Sequence, residues 1–254
     1  MAIALAIKIP GDEPAISRTT VAAANDRPER PVGLRGLPTM LSAERPGAEL
    51  DRAGMVVLCR KGQTLVEAGD PAEYIFKVLS GTLRAVRLLA DGRRHVASFH
   101  VAGDFIGLAA GETCDHSIEA LGDARLMRYN RASFEAMLDR DPGAGRRIFD
   151  IMRRQLAAAQ DRLLLLGRKT AAERLASFLL TLADRATAEI STDSCEIELP
   201  MNRSDMADYL GLRIETICRL LTDLKHRRII ELPGLYSVVI LRRDLLEGES
   251  EAKA

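Results

Sequence analysis

The sequence has no excess of charge of either sign, because 36 Lys and Arg residues balance 36 Asp and Glu residues. A basic field over the whole surface is therefore excluded, and any affinity for nucleic acid must come from a local patch. Long apolar runs are also absent, since no apolar run in the sequence approaches the length needed to cross a bilayer. At 254 residues the chain is long enough for one large or two ordinary domains.

Cysteine is scarce and widely spaced. The four residues Cys59, Cys114, Cys195 and Cys218 show no C-x-x-C spacing, which argues against a disulfide framework and a structural zinc site. Cys114 and His116 have a spacing that can ligate a metal or haem iron. His side chains on loops are more often solvated, so we predict no metal and no cofactor.

The stretch from Leu199 to Arg219 has the pattern of two short helices that meet at a glycine. Ser204–Leu210 is the first helical segment, and Gly211 follows at a position that favours φ > 0, so that a second helix can leave at a steep angle. At about 100° per residue, one face of the second helix holds Ile214, Ile217, Leu221 and Leu224. The opposite face holds Glu215, Cys218, Arg219 and Thr222. The spacing predicts a helix-turn-helix whose polar face is free to enter a DNA major groove.

Glu215 and Arg219 are the predicted base-reading pair. Arg can donate two hydrogen bonds to guanine O6 and N7, and Glu can accept one from the amine of cytosine. The two residues are also spaced i and i+4, and so can instead form an ion pair on the helix surface. The glycine corner and the apolar spacing around them favour DNA readout.

Leu199–Lys225 resembles the recognition segment of the CRP/FNR superfamily and, within it, the FixK branch. Leu88–His100 and Ala172–Leu179 support this resemblance, which covers residues 50–245. It implies an α+β fold with an N-terminal cyclic-nucleotide-binding-type β-roll, a long dimerisation helix and a C-terminal winged helix-turn-helix. It also implies a homodimeric, cytoplasmic transcription activator that contacts RNA polymerase. No catalytic constellation stands out, so we predict that the protein is not an enzyme.

The resemblance also assigns roles to single residues. FNR/FixK-like readers have an apolar residue before the glutamate, as this chain has Ile214, which implies a palindrome of the type TTGA-N6-TCAA. Arg219 would read the guanine, Glu215 its paired cytosine or a neighbouring adenine, and Ile214 a thymine methyl. Cys218 replaces the usual serine. It either makes a small contact to a base or acts as a redox switch, in which oxidation of its thiol prevents the helix from fitting the DNA groove. The expected contacts to the DNA backbone are Arg203, Ser204, Arg213, Thr216 and Thr222.

Residues 55–129 show short apolar runs separated by glycines, which is typical of a barrel or roll. The predicted strands are 56–58, 64–66, 74–79, 83–89, 95–99, 117–120 and 125–129. Asp91-Gly92 predicts a hairpin with a type I′ turn, because both residue types tolerate φ > 0. Along the whole chain we predict a disordered tail (1–48), the β-roll (49–140), the dimerisation helix (141–167), the DNA-binding domain (168–245) and a second tail (246–254).

A long helix is predicted over Gly143–Leu166, after a short one over 131–139. Its apolar stripe is about 80° wide, as in a coiled-coil seam. Such a stripe can be intrachain core, but a length of about 35 Å between two domains favours a parallel homodimer. The predicted interface is Ile148, Met152, Leu156, Ala159, Leu163 and Leu166. Four more apolar residues are predicted to pack on the flanking domains, namely Phe149, Ile151, Leu164 and Leu165.

The C-terminal pattern predicts a helix over 170–185 with a capping box of Thr170 and Glu173. A strand over 196–199 and a hairpin over 229–241 complete the predicted winged domain. Residues 242–254 are predicted to be a helical end that frays.

Gly103–Ser117 corresponds to the cassette that holds the ligand in cyclic-nucleotide receptors. A buried cyclic phosphate needs a cation, preferably Arg, but no Lys or Arg occurs between His95 and Ala124. Leu108 stands where the resemblance places a ribose-binding Glu. No cysteine precedes Cys59, so the iron–sulfur ligands of FNR-type sensors are missing. We expect DNA binding without cyclic nucleotide; the alternatives are an effector-gated regulator of the same fold and a regulatory module with no DNA role.

Overall fold

The computed structural model describes residues 54–186 and 195–251. The tail predicted over residues 1–48 lies outside them. The first eight strands are β1 (Met55–Cys59), β2 (Thr64–Val66), β3 (Tyr74–Ser80), β4 (Leu83–Leu88), β5 (Arg94–His100), β6 (Phe105–Ile106), β7 (Ser117–Ala120) and β8 (Ala124–Asn130). Two helices follow, α1 (Arg131–Arg140) and α2 (Pro142–Arg168). The C-terminal elements are α3 (Ala171–Ala186), β9 (Cys195–Glu198), α4 (Arg203–Leu210), α5 (Ile214–His226), β10 (Ile230–Gly234), β11 (Ser237–Ile240) and α6 (Arg243–Ser250).

The N-terminal strands form two antiparallel four-stranded sheets. One has the order β1-β8-β3-β6 and the other β2-β7-β4-β5. Their apolar faces share one core, in which Val78, Leu83 and Leu126 are fully buried. The predicted strands are confirmed, but β6 was not predicted, because two residues between glycines show no periodicity.

The β4–β5 hairpin is confirmed and its predicted turn type is wrong. Gly92 has φ +81°, but Arg228 is the one non-glycine residue with positive φ in the described part of the chain. Asp91 therefore does not adopt the conformation that a type I′ turn requires. Instead, Gly92 N–H donates to Leu89 O (2.9 Å) and Leu89 N–H donates to Arg93 O (2.9 Å). These bonds close a three-residue loop with glycine at the left-handed position.

The long helix α2 begins at Pro142, and the Asp141 side chain accepts from Gly143 N–H and Ala144 N–H (2.8 and 3.1 Å). The assignment of Ile148 to the dimer interface is wrong. Its side chain is 5 % exposed and packs with Ile75 and Phe105 in the core beneath α2. A side chain that its own chain already buries offers no area to a second copy.

The four residues predicted to pack on the flanking domains divide into two pairs. Ile151 and Leu165 lie against the two neighbouring cores, as predicted. The prediction is wrong for Phe149 and Leu164, whose side chains are exposed. They point to the solvent side of α2, where the described residues provide nothing to cover them.

The C-terminal elements share a third core, and the order of their sheet is β10-β11-β9. The capping box is confirmed, because Thr170 N–H donates to Glu173 Oε2 (2.7 Å) and Glu173 N–H donates to Thr170 Oγ1 (3.4 Å). The helical character predicted after residue 242 is confirmed by α6, but the tail predicted from residue 246 is wrong over the described residues, since α6 continues to Ser250 and Leu246 is fully buried in this core. In the part of the chain that the structure describes, no helix is long and apolar enough to cross a membrane.

Candidate nucleic-acid interface

The corner between α4 and α5 is built around Gly211. Its φ of 63° and ψ of 38° lie in the left-handed region, and its N–H donates to Ala207 O. Arg174 braces the corner from α3, because its guanidinium donates to Leu210 O (3.1 Å) and to Leu166 O (2.7 Å). One arginine thus ties the end of α2 to the end of α4, and the predicted turn is confirmed.

The apolar face of α5 is buried from Ile217 onward, together with Leu221 and Leu224. Ile214, which the spacing also places on this face, is 43 % exposed. It is the first residue of the helix and lies beyond the edge of the core, so its side chain is accessible to a molecule that contacts α5. The polar side of the helix is exposed as predicted and carries Glu215, Cys218, Arg219 and Thr222.

Glu215 and Arg219 do not form the i,i+4 ion pair that the spacing allows. Over the described residues, neither side chain has a hydrogen bond or an ion-pair partner in the chain. A charged pair that faces solvent without mutual neutralisation remains free to bond base edges. The surface ion pair between Glu215 and Arg219, which the sequence left open as an alternative, is therefore not formed.

The residues predicted to contact the DNA backbone differ in how available they are. Ser204 and Arg213 are exposed, and Arg213 caps α5 without a side-chain hydrogen bond to the first turn. Thr222 is exposed, but its hydroxyl donates to Cys218 O (2.8 Å). Arg203 is half-buried, it donates to Met206 Sδ (3.5 Å), and burial lowers its pKa. Thr216 is also half-buried.

The exposed apolar face of α2 retains most of the predicted dimer residues. Met152, Leu156 and Leu163 are 40, 61 and 73 % exposed. Ala159 is exposed as well, while Leu166 is half-buried near the Gly211 corner. Large aliphatic side chains in a row on one helix are unusual at a solvent surface and mark an interaction site.

The other side of α4 carries a set of residues that the sequence did not single out. Asp205 is fully buried and accepts hydrogen bonds from Arg84 and Arg94, which belong to the β-roll. Asp208 also accepts from Arg94 (2.8 Å). These partners are more than 100 positions apart in the sequence, so neither periodicity nor spacing gives a signal for them.

Three of the four histidines, His95, His100 and His116, lie in the β-roll. Burial lowers the pKa of His100 to about 4, and His116 adds a smaller effect in the same direction. Burial also lowers the pKa of His95 and of His116. Over the described residues, no group of three or more His, Cys, Asp or Glu side chains is placed to hold a metal ion.

The folded protein is expected to lose stability as the pH falls from about 6.5 to about 4. In this range the unfolded chain takes up a proton at His100 before the folded chain does, because the folded pKa is about 4. The His100→Gln variant should show a flatter dependence of Tm on pH. His226→Gln, which removes an exposed imidazole at the end of α5, is the matched control. Equal slopes for wild type and His100→Gln would contradict the assignment.

Comparison with known proteins identifies both halves of the chain. The cyclic nucleotide-binding domain family matches residues 56–141, and the Crp-like helix-turn-helix domain family matches residues 173–249. The nitrogen fixation regulation protein FixK of Azorhizobium caulinodans is 37 % identical over 202 residues, which cover 80 % of this chain and 82 % of that protein. The transcriptional activator protein FnrL of Cereibacter sphaeroides is 34 % identical over 182 residues, 70 % of this chain and 73 % of that protein.

The solved structure of FixK2 from Bradyrhizobium japonicum superposes with a TM-score of 0.72 at 35 % identity, and the match covers 79 % of this chain and 99 % of that one. These similarities agree with the order of elements and with the exposed polar side of α5, the recognition helix of the helix-turn-helix. The chain therefore belongs to the CRP/FNR family and is a DNA-binding transcription regulator of the FixK/FNR type, not an enzyme.

Proposed function

We propose that this regulator binds a palindrome of the type TTGA-N6-TCAA as a homodimer, without a cyclic nucleotide, and activates transcription in the cytoplasm through contact with RNA polymerase. The observation that carries the proposal is the exposed face of α5, on which Glu215 and Arg219 are free of partners in the described chain. Arg219 reads the guanine, and Glu215 reads the paired cytosine or a neighbouring adenine. Ile214 contacts a thymine methyl and Cys218 makes a small contact beside it.

The phosphate contacts surround this reading surface. Ser204 and Arg213 are exposed beside the helix-turn-helix corner, and the uncapped first turn of α5 leaves backbone N–H groups that favour a phosphate. Arg203, Thr216 and Thr222 provide weaker contacts, because they are half-buried or already bonded within the chain.

The exposed apolar face of α2 supports dimerisation, and we propose a second copy as its occupant. A two-fold axis along this helix presents two copies of α5 to one side of the DNA, about one helical turn apart, as a palindrome requires. The proposed division of the chain has the sensor-like roll at 49–140, the dimerisation helix at 141–167 and the DNA-binding domain from 168.

Ligand independence is supported by the hydrogen bonds of two arginines near the Gly103–Ser117 cassette. Arg131 of α1 donates to Ala72 O (2.6 Å) and to Gly107 O (2.5 Å). Arg162 of α2 donates to Val96 O (2.6 Å) and to Tyr209 O (3.1 Å). Both guanidinium groups are thus bonded to backbone carbonyls, which leaves them poorly placed to bind a cyclic phosphate.

An effector-gated regulator of the same fold is the second candidate. A groove of about 580 Å³ lies on the β2-β7-β4-β5 sheet. Charged side chains of both signs line it, namely Arg87 and Arg94 beside Glu67, Asp115 and Glu119. A groove of this size can take a small polar molecule.

Wild-type protein purified in air, with no added ligand, is expected to retard a TTGA-N6-TCAA duplex and to leave a scrambled duplex of the same composition free. Added cyclic AMP should leave the apparent Kd unchanged, because the cassette residues 103–117 contain no cation. The measurement is fluorescence anisotropy over a protein titration, with and without the nucleotide. A strict need for cyclic AMP would favour the effector-gated candidate, and failure to bind any duplex would favour a module without a DNA role.

A further inference from the structure

Helix α4 of the helix-turn-helix lies against the β4–β5 hairpin of the roll, and charged residues join them. Asp205 of α4 is fully buried and accepts from Arg84 of β4 and from Arg94 Nη2 of β5 (2.8 Å). Arg94 Nε also donates to Asp208 Oδ2 (2.8 Å). Arg84 is oriented from its other side by Glu119 of β7, which accepts from its Nε (2.9 Å). Two arginines of one domain thus bind two carboxylates of the other, and Arg84 also pairs with Glu119 of its own domain.

An aromatic contact lies next to these ion pairs. The Tyr209 ring centroid is 5.1 Å from that of Phe99 in β5 and 5.4 Å from that of Phe178 in α3. The Arg162 guanidinium of α2 lies 4.1 Å from the Tyr209 ring centroid and donates to its backbone carbonyl (3.1 Å). Tyr209 is therefore held by the roll, the long helix and the DNA-binding domain at once.

The burial of Asp205 makes this contact specific to one orientation. A carboxylate removed from water is unfavourable unless cations replace the lost hydration. The Oδ2 atom of Asp205 has no hydrogen-bond partner within the described residues, so the group depends on Arg84 and Arg94. Apolar contacts tolerate sliding, whereas a buried carboxylate between two arginines does not.

The contact leaves the reading surface open. Asp205 and Asp208 face the roll, whereas Ser204 on α4 and Glu215 and Arg219 on α5 remain exposed. The orientation that these ion pairs select is therefore one in which the recognition helix is accessible.

We infer that Arg84, Arg94, Asp205 and Asp208 form an ionic lock that fixes the DNA-binding domain on the β2-β7-β4-β5 sheet of the roll. In the dimer this lock sets the distance and angle between the two recognition helices, and so selects the spacing between half-sites. The spacing part of the inference rests on the proposed function; the lock itself does not. The four residues are positioning residues and make no contact with DNA.

The first test follows the lock without DNA. Hydrogen exchange of the full chain is compared between wild type and the Asp205→Asn, Asp208→Asn double variant, in which both side chains keep their shape and lose their charge. Amides of β5 and α4 are expected to exchange at least about tenfold faster in the variant, while those in the core of α3 keep their protection. Asp223→Asn is the matched control, because it removes an exposed carboxylate of α5 that pairs with Arg227 outside the lock. Unchanged exchange in β5 and α4 would overturn the lock.

The second test measures the selected spacing. Wild type is expected to bind TTGA-N6-TCAA more tightly than duplexes with N5 or N7 spacers, by about tenfold or more. The double variant should bind the three duplexes almost equally and keep wild-type affinity for a single half-site. A variant that kept the full spacing preference would show that the lock does not set the spacing. If wild type bound none of the palindromes, the proposed function would fail, and the exchange experiment would still decide the lock.

Discussion

Arg219→Ala is expected to weaken binding to the TTGA-N6-TCAA duplex by about 1–3 kcal/mol, a loss of about 5- to 150-fold in affinity. The guanidinium is exposed on α5 and has no partner in the described chain, so its removal disturbs no intrachain bond. The loss should be specific, because a bidentate contact to guanine distinguishes this base from the other three. Affinities for duplexes with each base at the guanine position should therefore converge in the variant.

Arg213→Ala is the control for this experiment. Arg213 is exposed at the N-cap of α5 and is proposed as a phosphate contact. Its removal should weaken specific and random duplexes to a similar extent and reduce the dependence of log Kd on log salt. If Arg219→Ala also weakened both kinds of duplex equally, Arg219 would be a phosphate contact and the assigned reading role would be wrong.

Leu163→Glu is expected to convert the dimer to a monomer and to abolish palindrome binding at concentrations where wild type saturates. A carboxylate at this position would be buried without a partner in the helix seam, at a cost on the order of several kcal/mol. The single chain should tolerate the change, because Leu163 is already 73 % exposed in it. Sedimentation velocity gives the oligomeric state, and circular dichroism checks that the chain stays folded.

Arg154→Glu is the control for Leu163→Glu. It also introduces a glutamate on α2, but at an exposed position on the side of the helix away from the seam. This control should remain dimeric and bind the palindrome. A dimeric Leu163→Glu protein would show that the apolar stripe has another partner, and that a different surface holds the two copies together.

Local patterns in the sequence predict most of the secondary structure. Gly211 marks the helix-turn-helix corner because few other residues adopt its left-handed conformation at no cost. Thr170 and Glu173 mark the start of α3 because their reciprocal hydrogen bonds need only a three-residue spacing. In both cases the interacting groups lie within one helical turn, where spacing alone determines geometry.

Residues whose role depends on distant partners could not be predicted in this way. The apolar stripe on α2 shows on which face of the helix Ile148 lies, but not which residues cover its side chain. In the structure, the core beneath α2 buries this side chain. Asp205 reads as an ordinary polar residue in the first turn of α4, yet it is fully buried by arginines from β4 and β5. Periodicity assigns a face to a residue; only the three-dimensional fold assigns the surface that meets it.

The most direct test of the central claim is a selection from random-sequence DNA with the purified wild-type protein and no added ligand. The account predicts enrichment of a palindrome with TTGA and TCAA half-sites, whose centres lie about one helical turn apart. Enrichment of a single unpaired half-site would contradict the dimer. Enrichment of no sequence, or of any sequence only after a small molecule is added, would contradict ligand-free reading of DNA by α5.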